Sequence, residues 1–84
     1  MKAKTAYRLI HTRSTRAPAF LASPERVDHI EIVEDASMEV ILFWDVPAPE
    51  APRFIGALRS DLAALGADEF VERWRDVSSA ANLP

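Results

Sequence analysis

The two histidines are the side chains of this sequence best suited to binding a metal or moving a proton. His11 and His29 lie in separate segments that each have the composition of a β-strand. Alternate residues of a strand share a face, so His29 and Glu31 point the same way, and His11 would join them if the two strands pair. This spacing is not diagnostic, and hydrogen-bonded or solvated strand histidines are far commoner than metal ligands. We therefore predict no metal and no cofactor.

Two pairs of neighbouring carboxylates are the other candidates for proton transfer. Glu34 with Asp35 and Asp68 with Glu69 also have structural explanations, because acidic residues suit a hairpin turn and the positive end of a helix dipole. The candidate hydroxyl nucleophiles lack a nucleophile elbow and a neighbouring base. They are Ser14, Thr15, Ser60 and Ser78. With two glycines in the chain, no glycine-rich phosphate loop is present. The sequence predicts no catalytic residue and favours a protein that is not an enzyme.

Length and composition indicate one small domain over residues 1–84, with frayed ends at residues 1–4 and 78–84. The chain is 49% hydrophobic and 27% charged, which is the balance of a folded protein. It has no cysteine, which excludes a disulfide framework, a thiolate zinc site and a cysteine nucleophile. Small chains without disulfides or metal sites often bury additional apolar surface by self-association. We expect a soluble cytoplasmic protein, because residues 40–44, the longest apolar stretch, cannot span a bilayer and the first sixteen residues lack a secretory signal.

Positive charge is concentrated at the start of the chain. The first sixteen residues hold five basic side chains and no acid, whereas the remainder holds all thirteen acids against five arginines. Such a basic arm binds nucleic acid, an acidic protein surface, or the body of its own or a neighbouring subunit. Arg8, Arg13 and Arg16 are the candidate anion contacts. Nucleic acid is the less favoured partner because the chain as a whole is acidic, with a net charge of −3. The preference for arginine over lysine suggests a bacterial source.

Three segments have the residue pattern of strands. Residues 5–13 and 27–34 are rich in β-branched and aromatic side chains. Residues 38–46 form the third strand, joined to the second by a short turn typical of a β-hairpin. One face of this third strand carries Met38, Val40, Leu42, Trp44 and Val46, and the other carries Ile41 and Phe43. A strand that is apolar on both faces usually has other elements packed on both sides of its sheet, but this chain is too short to bury both faces fully.

Residues 14–26 form a connector that is long for a compact domain. It contains Pro18 and Pro24 and has no clear hydrophobic period. Phe20 and Leu21 lie in its middle, and two large apolar side chains are expected to anchor the connector on another surface. We therefore predict that this segment contacts a partner or the chain's own sheet.

The last third of the chain predicts two helices. The first has Pro52 in its opening turn, apolar residues at helical spacing up to Leu65, and Gly66 as its C-cap. A second stripe on this helix consists of small residues that permit close backbone approach: Gly56, Ser60 and Ala64. The second helix opens at Asp68, and its apolar face must dock on another element. That face comprises Phe70, Val71, Trp74 and Val77.

These elements predict an α+β fold: a three-stranded, largely antiparallel sheet in the order strand, long loop and β-hairpin, with both helices packed on one face. The free face would expose Ile41 and Phe43, which favours a symmetric dimer or a larger assembly. We expect a small non-enzymatic, self-associating accessory or interaction protein. Its candidate partner contacts are Phe20, Leu21, Ile41, Phe43, Gly56, Ser60 and Ala64. Two alternatives are a nucleic-acid-binding protein that uses the basic arm and a small enzyme whose inter-subunit site uses His11 or His29 as a base.

Overall fold

The computed structural model describes residues 1–13 and 26–84 and shows an α+β fold. Three antiparallel strands, β1 (Tyr7–Arg13), β2 (Val27–Glu34) and β3 (Val40–Pro47), form one sheet in the order β1-β2-β3. Helices α2 (Ala51–Ala64) and α3 (Ala67–Trp74) follow the sheet in the chain. A one-turn helix α1 (Ala3–Ala6) precedes it, and two short 3-10 helices cover Ala48–Glu50 and Ala80–Asn82. The predicted fold class, with helices packed against a three-stranded sheet, is confirmed.

The central strand β2 sets which residues face the helices. Its register pairs Ile30 with His11 of β1 and with Trp44 of β3. Because side chains alternate along a strand, Ile30 and Ile32 point towards the helices, and both are fully buried. Val33 points to the opposite face and is also buried, at 2% exposure. Buried apolar residues therefore lie on both faces of the central strand.

The core between the sheet and the helices is built around four aromatic rings. Trp44 lies edge-on to Phe54 and Trp74, with centroid distances of 5.2 and 5.8 Å, and Phe70 lies against Trp74 at 6.1 Å. Both indoles also find acceptors: Trp44 Nε1 donates to the carbonyl oxygen of Val77 at 2.7 Å, and Trp74 Nε1 donates to the carboxylate of Asp61 at 2.8 Å. Helix α3 is too short to be stable alone, so the packed rings hold it against the sheet, and the hydrogen bond from Trp74 to Asp61 joins it to α2.

Both ends of the chain contact the folded body. Ala3 is fully buried, and its N–H donates to the carbonyl oxygen of Leu65 at 3.0 Å. At the other end Ala80 is buried, and Ser79 and Asn82 cap the last 3-10 helix with side-chain hydrogen bonds. Fraying of residues 1–4 and 78–84 stays a prediction.

The β2–β3 hairpin differs in detail from the predicted one. The sequence predicts that the third strand begins at Met38, but Met38 has a φ of 61° and lies between the turn and β3, which begins at Val40. The pairing shifts between Ile32 and Val33, where β3 holds one extra residue at Ile41. Such a bulge interrupts the alternation of side chains. Val40 was therefore wrongly assigned to the buried face: it is 49% exposed.

Candidate functional site

The face of the sheet that points away from the helices is partly exposed: Val33 on it is buried, whereas β3 leaves apolar side chains in solvent. Phe43 lies there, 51% exposed, and its ring stacks on His29 with a centroid distance of 5.9 Å and an interplanar angle of 22°. His29 also forms a hydrogen bond through Nδ1 with Asp45. The register gives the other members of this open face as Arg8, Ile10, Thr12, Glu31, Val33 and Val40. It is a mixed surface, apolar at β3 and charged around it.

The two histidines lie on opposite faces of the sheet. His11 pairs in register with Ile30, whereas Thr12 pairs with His29, so the two imidazoles point in opposite directions. His11 Nε2 donates instead to the carboxylate of Asp28 at 2.8 Å. Within residues 1–13 and 26–84, no group of three or more His, Cys, Asp and Glu side chains could hold a metal ion. The arrangement in which His11 joins His29 and Glu31 is therefore not formed.

A cleft opens beside the edge of the sheet where β1 ends and β2 begins. Its volume is about 510 Å³, and it lies between these strand ends and the first turns of α2. Three arginines of residues 1–13 and 26–84 line it: Arg13 from the end of β1, Arg26 just before β2, and Arg59 from α2. We call this the arginine cleft; its remaining lining residues are His11, Asp28, Ala48, Ala51, Pro52, Ile55 and Gly56.

The carboxylate of Asp28 lies at the base of the arginine cleft. Its side chain is 4% exposed, and Oδ2 accepts the hydrogen bond from His11. Oδ1 is buried and accepts no hydrogen bond from any residue that the structure describes. Arg26 Nε is 3.9 Å from Oδ1, which is an ion-pair distance and too long for a hydrogen bond. A buried carboxylate oxygen without a donor is unusual and costs free energy, so this oxygen makes the cleft a candidate site.

The small-residue stripe of α2 does not pack closely against any described element. Gly56, Ser60 and Ala64 are all exposed, and a Cβ built on Gly56 meets no heavy atom within 4 Å. The close backbone approach that these small residues permit therefore does not occur between α2 and any described element. Gly56 lines the arginine cleft, and the other two residues remain candidates for contact with another molecule.

The other candidates from the sequence have separate surroundings. Arg8 Nη2 pairs with Asp35 Oδ1 at 2.8 Å on the exposed surface, and Ser37 Oγ donates to Glu34 at 2.8 Å. Asp68 and Glu69 lie in the first turn of α3, as a helix start requires. Ser78 is exposed. Ser14, Thr15, Arg16, Phe20 and Leu21 lie outside the described residues.

Sequence reasoning missed three members of the cleft, Arg26, Asp28 and Arg59. A signal for one of them was present: Asp28 shares a face of β2 with Ile30 and Ile32, so an acid stands on the apolar face of a strand. A charge at such a position needs a partner, which could have singled it out. Arg26 lies two residues before Asp28 in the chain, whereas Arg59 is brought to it only by the packing of α2 beside the strand ends.

None of the helices in the described ranges is long and apolar enough to cross a membrane. No protein-family model, no curated protein and no solved structure matches this chain.

Proposed function

We propose that this protein is a small non-enzymatic accessory protein that self-associates through the open face of its sheet. The observation that carries the proposal is the half-exposed Phe43, held in place on that face by His29. Val40 adds a second apolar side chain that is 49% exposed, on the same edge strand. Exposed apolar side chains that cluster on one face mark association sites more often than isolated ones do.

A second copy of the chain suits this face because its charges have both signs. Arg8 and Glu31 lie on it with His29 and Asp45, so a two-fold arrangement can place acids of one copy near bases of the other. A face with one sign of charge would repel its own copy. The basic residues of β1, by contrast, do not form one nucleic-acid surface, because Arg8 and Arg13 point to opposite faces of the strand.

The size of the face sets the expected strength of the dimer. Three strands at a spacing of about 4.8 Å and eight residues at about 3.3 Å each give roughly 400 Å² of flat sheet per copy. Two copies would bury an area at or below the low end of stable protein interfaces, which begin near 1,200 Å² in total. We therefore expect a reversible dimer whose population rises with protein concentration.

The test is the mass in solution, measured by light scattering on a sizing column over a range of protein concentrations. Wild type should pass from the 9.4 kDa monomer to a dimer as concentration rises. Phe43→Lys should remain a monomer, because a lysine at this position would have to be desolvated in the interface, while in the monomer it lies opposite Glu31. Ala63→Lys is the matched control, since it adds the same charge at an exposed position of α2.

Two outcomes would overturn the proposal. The first is a wild-type chain that stays at 9.4 kDa over the whole concentration range. The second is a dimer that Phe43→Lys and Ala63→Lys leave equally intact, which would place the interface elsewhere. Thermal unfolding of each variant establishes that both are folded before their masses are compared.

A further inference from the structure

We infer that the arginine cleft binds a phosphate group that carries a hydroxyl donor. The inference is independent of self-association, because the cleft lies at the other face of the sheet from Phe43. It depends on two features of the cleft that would bind different groups of one ligand. The guanidinium groups would bind its oxyanion, and the carboxylate oxygen without a donor would accept its hydroxyl proton.

The guanidinium groups of the cleft favour an oxyanion as the ligand. Among the described lining residues, Arg13, Arg26 and Arg59 bring three positive charges to the cleft, and Asp28 brings one carboxylate. Within the described part of the chain, neither Arg13 nor Arg59 forms an ion pair, and Arg26 reaches Asp28 only at 3.9 Å. Arginine binds phosphate and carboxylate oxygens through two parallel N–H donors, so an uncompensated group of three favours a multiply charged oxyanion.

The carboxylate oxygen calls for a hydrogen-bond donor. Oδ1 of Asp28 is buried, and its partner oxygen Oδ2 is already held by His11 at 2.8 Å. An ion without a proton to donate, such as sulfate, would bring its own negative charge towards this acid. Hydrogen phosphate can bind the arginines through its bare oxygens and donate its P–OH proton to Oδ1. A phosphate ester with a neighbouring hydroxyl offers the same two groups.

The size and the lining of the cleft favour an organic phosphate. Its volume of about 510 Å³ exceeds what one phosphate ion fills and lies within the range of small-molecule sites. One wall is apolar, formed by Ala48, Ala51, Pro52 and Ile55. Gly56 on the same helix leaves the space beside this wall open, since a Cβ there would meet no atom within 4 Å.

The experiment measures binding of three probes to the full chain by isothermal titration calorimetry at constant ionic strength and neutral pH. The probes are inorganic phosphate, sulfate and glycerol 3-phosphate. We expect both phosphates to bind at least about tenfold more tightly than sulfate, the ratio that one hydrogen bond to a charged group supplies. Whichever phosphate binds more tightly identifies the source, free phosphate or a phosphate ester. Equal affinity for phosphate and sulfate, or no binding of either phosphate at millimolar concentration, would overturn the inference.

Three variants assign the binding to this cleft. Arg59→Gln should weaken phosphate binding by about tenfold or more, whereas Arg75→Gln, which removes the same charge from an exposed pair with Glu72 outside the cleft, should not. Asp28→Asn should reduce the preference for phosphate over sulfate, because an amide can donate to either ion. Since Asp28 is buried, Gly56→Leu is a second test that leaves the buried carboxylate in place and fills the cleft. Phosphate affinity unchanged in both Arg59→Gln and Gly56→Leu would refute the assignment.

Discussion

Replacing Gly56 with alanine should stabilise the fold, and the size of the effect follows from the helix around it. Gly56 lies inside α2 (Ala51–Ala64), is exposed, and has space for a Cβ with no heavy atom within 4 Å. Glycine in a helix interior costs about 0.8–1 kcal/mol relative to alanine, much of it through the entropy of the unfolded chain. Because no contact is gained or lost, we expect Gly56→Ala to raise the free energy of unfolding by about 0.5–1 kcal/mol.

The chain provides its own control in the second glycine. The prediction of Gly66 as the C-cap of α2 is wrong: the C-cap is Leu65, and Gly66 is the N-cap of α3 with φ −72° and ψ 163°. A Cβ on Gly66 would lie 3.8 Å from the carbonyl oxygen of Met1. Alanine is a poorer N-cap than glycine, so Gly66→Ala should lower the free energy of unfolding by roughly 0.5–1 kcal/mol. The two substitutions add the same methyl group and should have opposite signs.

The assay is thermal unfolding followed by circular dichroism, at one protein concentration for all variants because self-association shifts the melting temperature. For a domain of this size, 1 kcal/mol corresponds to a shift of about 4–8 °C. A melting temperature for Gly56→Ala below that of wild type would refute the reasoning. It would mean that the space beside Gly56 is filled in solution, by another segment or by a second copy, and the arginine cleft would then not be open.

Two further substitutions test the description of the hairpin and the core. Met38→Gly should raise the free energy of unfolding by about 0.5–1 kcal/mol, because Met38 has a φ of 61°, which costs a residue with a side chain more than it costs glycine. Met38 is also 49% exposed, so little packing is lost. A lower free energy of unfolding in urea would contradict this prediction. Trp44→Phe should lower the free energy of unfolding by about 2–3 kcal/mol, since it removes the donor to the buried carbonyl of Val77 and leaves a small cavity. A decrease below about 0.5 kcal/mol would show that water or another donor replaces the indole.

The sheet could be predicted from sequence because its signals are local. Residues 27–34 were expected as a strand and form β2 with those bounds, and the turn at Asp35 to Ser37 was placed correctly. The helical spacing of Phe54, Leu58 and Leu62 likewise located α2, whose buried residues include all three. Periodicity and turn residues are properties of neighbouring positions, so no knowledge of the tertiary structure was needed.

The bulge in β3 could not be predicted in the same way. Strict alternation assigns Val40 to the face of Leu42, but one extra residue at the Ile41 position shifts the pairing with Val33. A bulge depends on how two strands meet, and the positive φ of Met38 in the preceding turn is part of that geometry. The sequence of the strand alone contains no residue that marks it.

The arginine cleft could not be predicted because its parts come from distant positions. His11 and Asp28 are seventeen residues apart, and their hydrogen bond depends on the antiparallel register of β1 and β2. Arg59 is added by α2, which follows the sheet in the chain. The sequence predicts Arg13 as an anion contact from charge alone, and the structure shows only that Arg13 lines the cleft.

The alternation of β2 separates the two proposed activities. Asp28 points into the arginine cleft, and His29, the next residue, points to the open face and stacks on Phe43. One strand therefore connects the two surfaces through its backbone, while their side chains share no contact that the structure describes. Two sites influence each other's affinity only if the states they favour differ. β2 is the central strand and pairs with a neighbour on each side, which restricts how far either site can displace it. We therefore treat phosphate binding and self-association as independent, so that failure of one test leaves the other proposal standing.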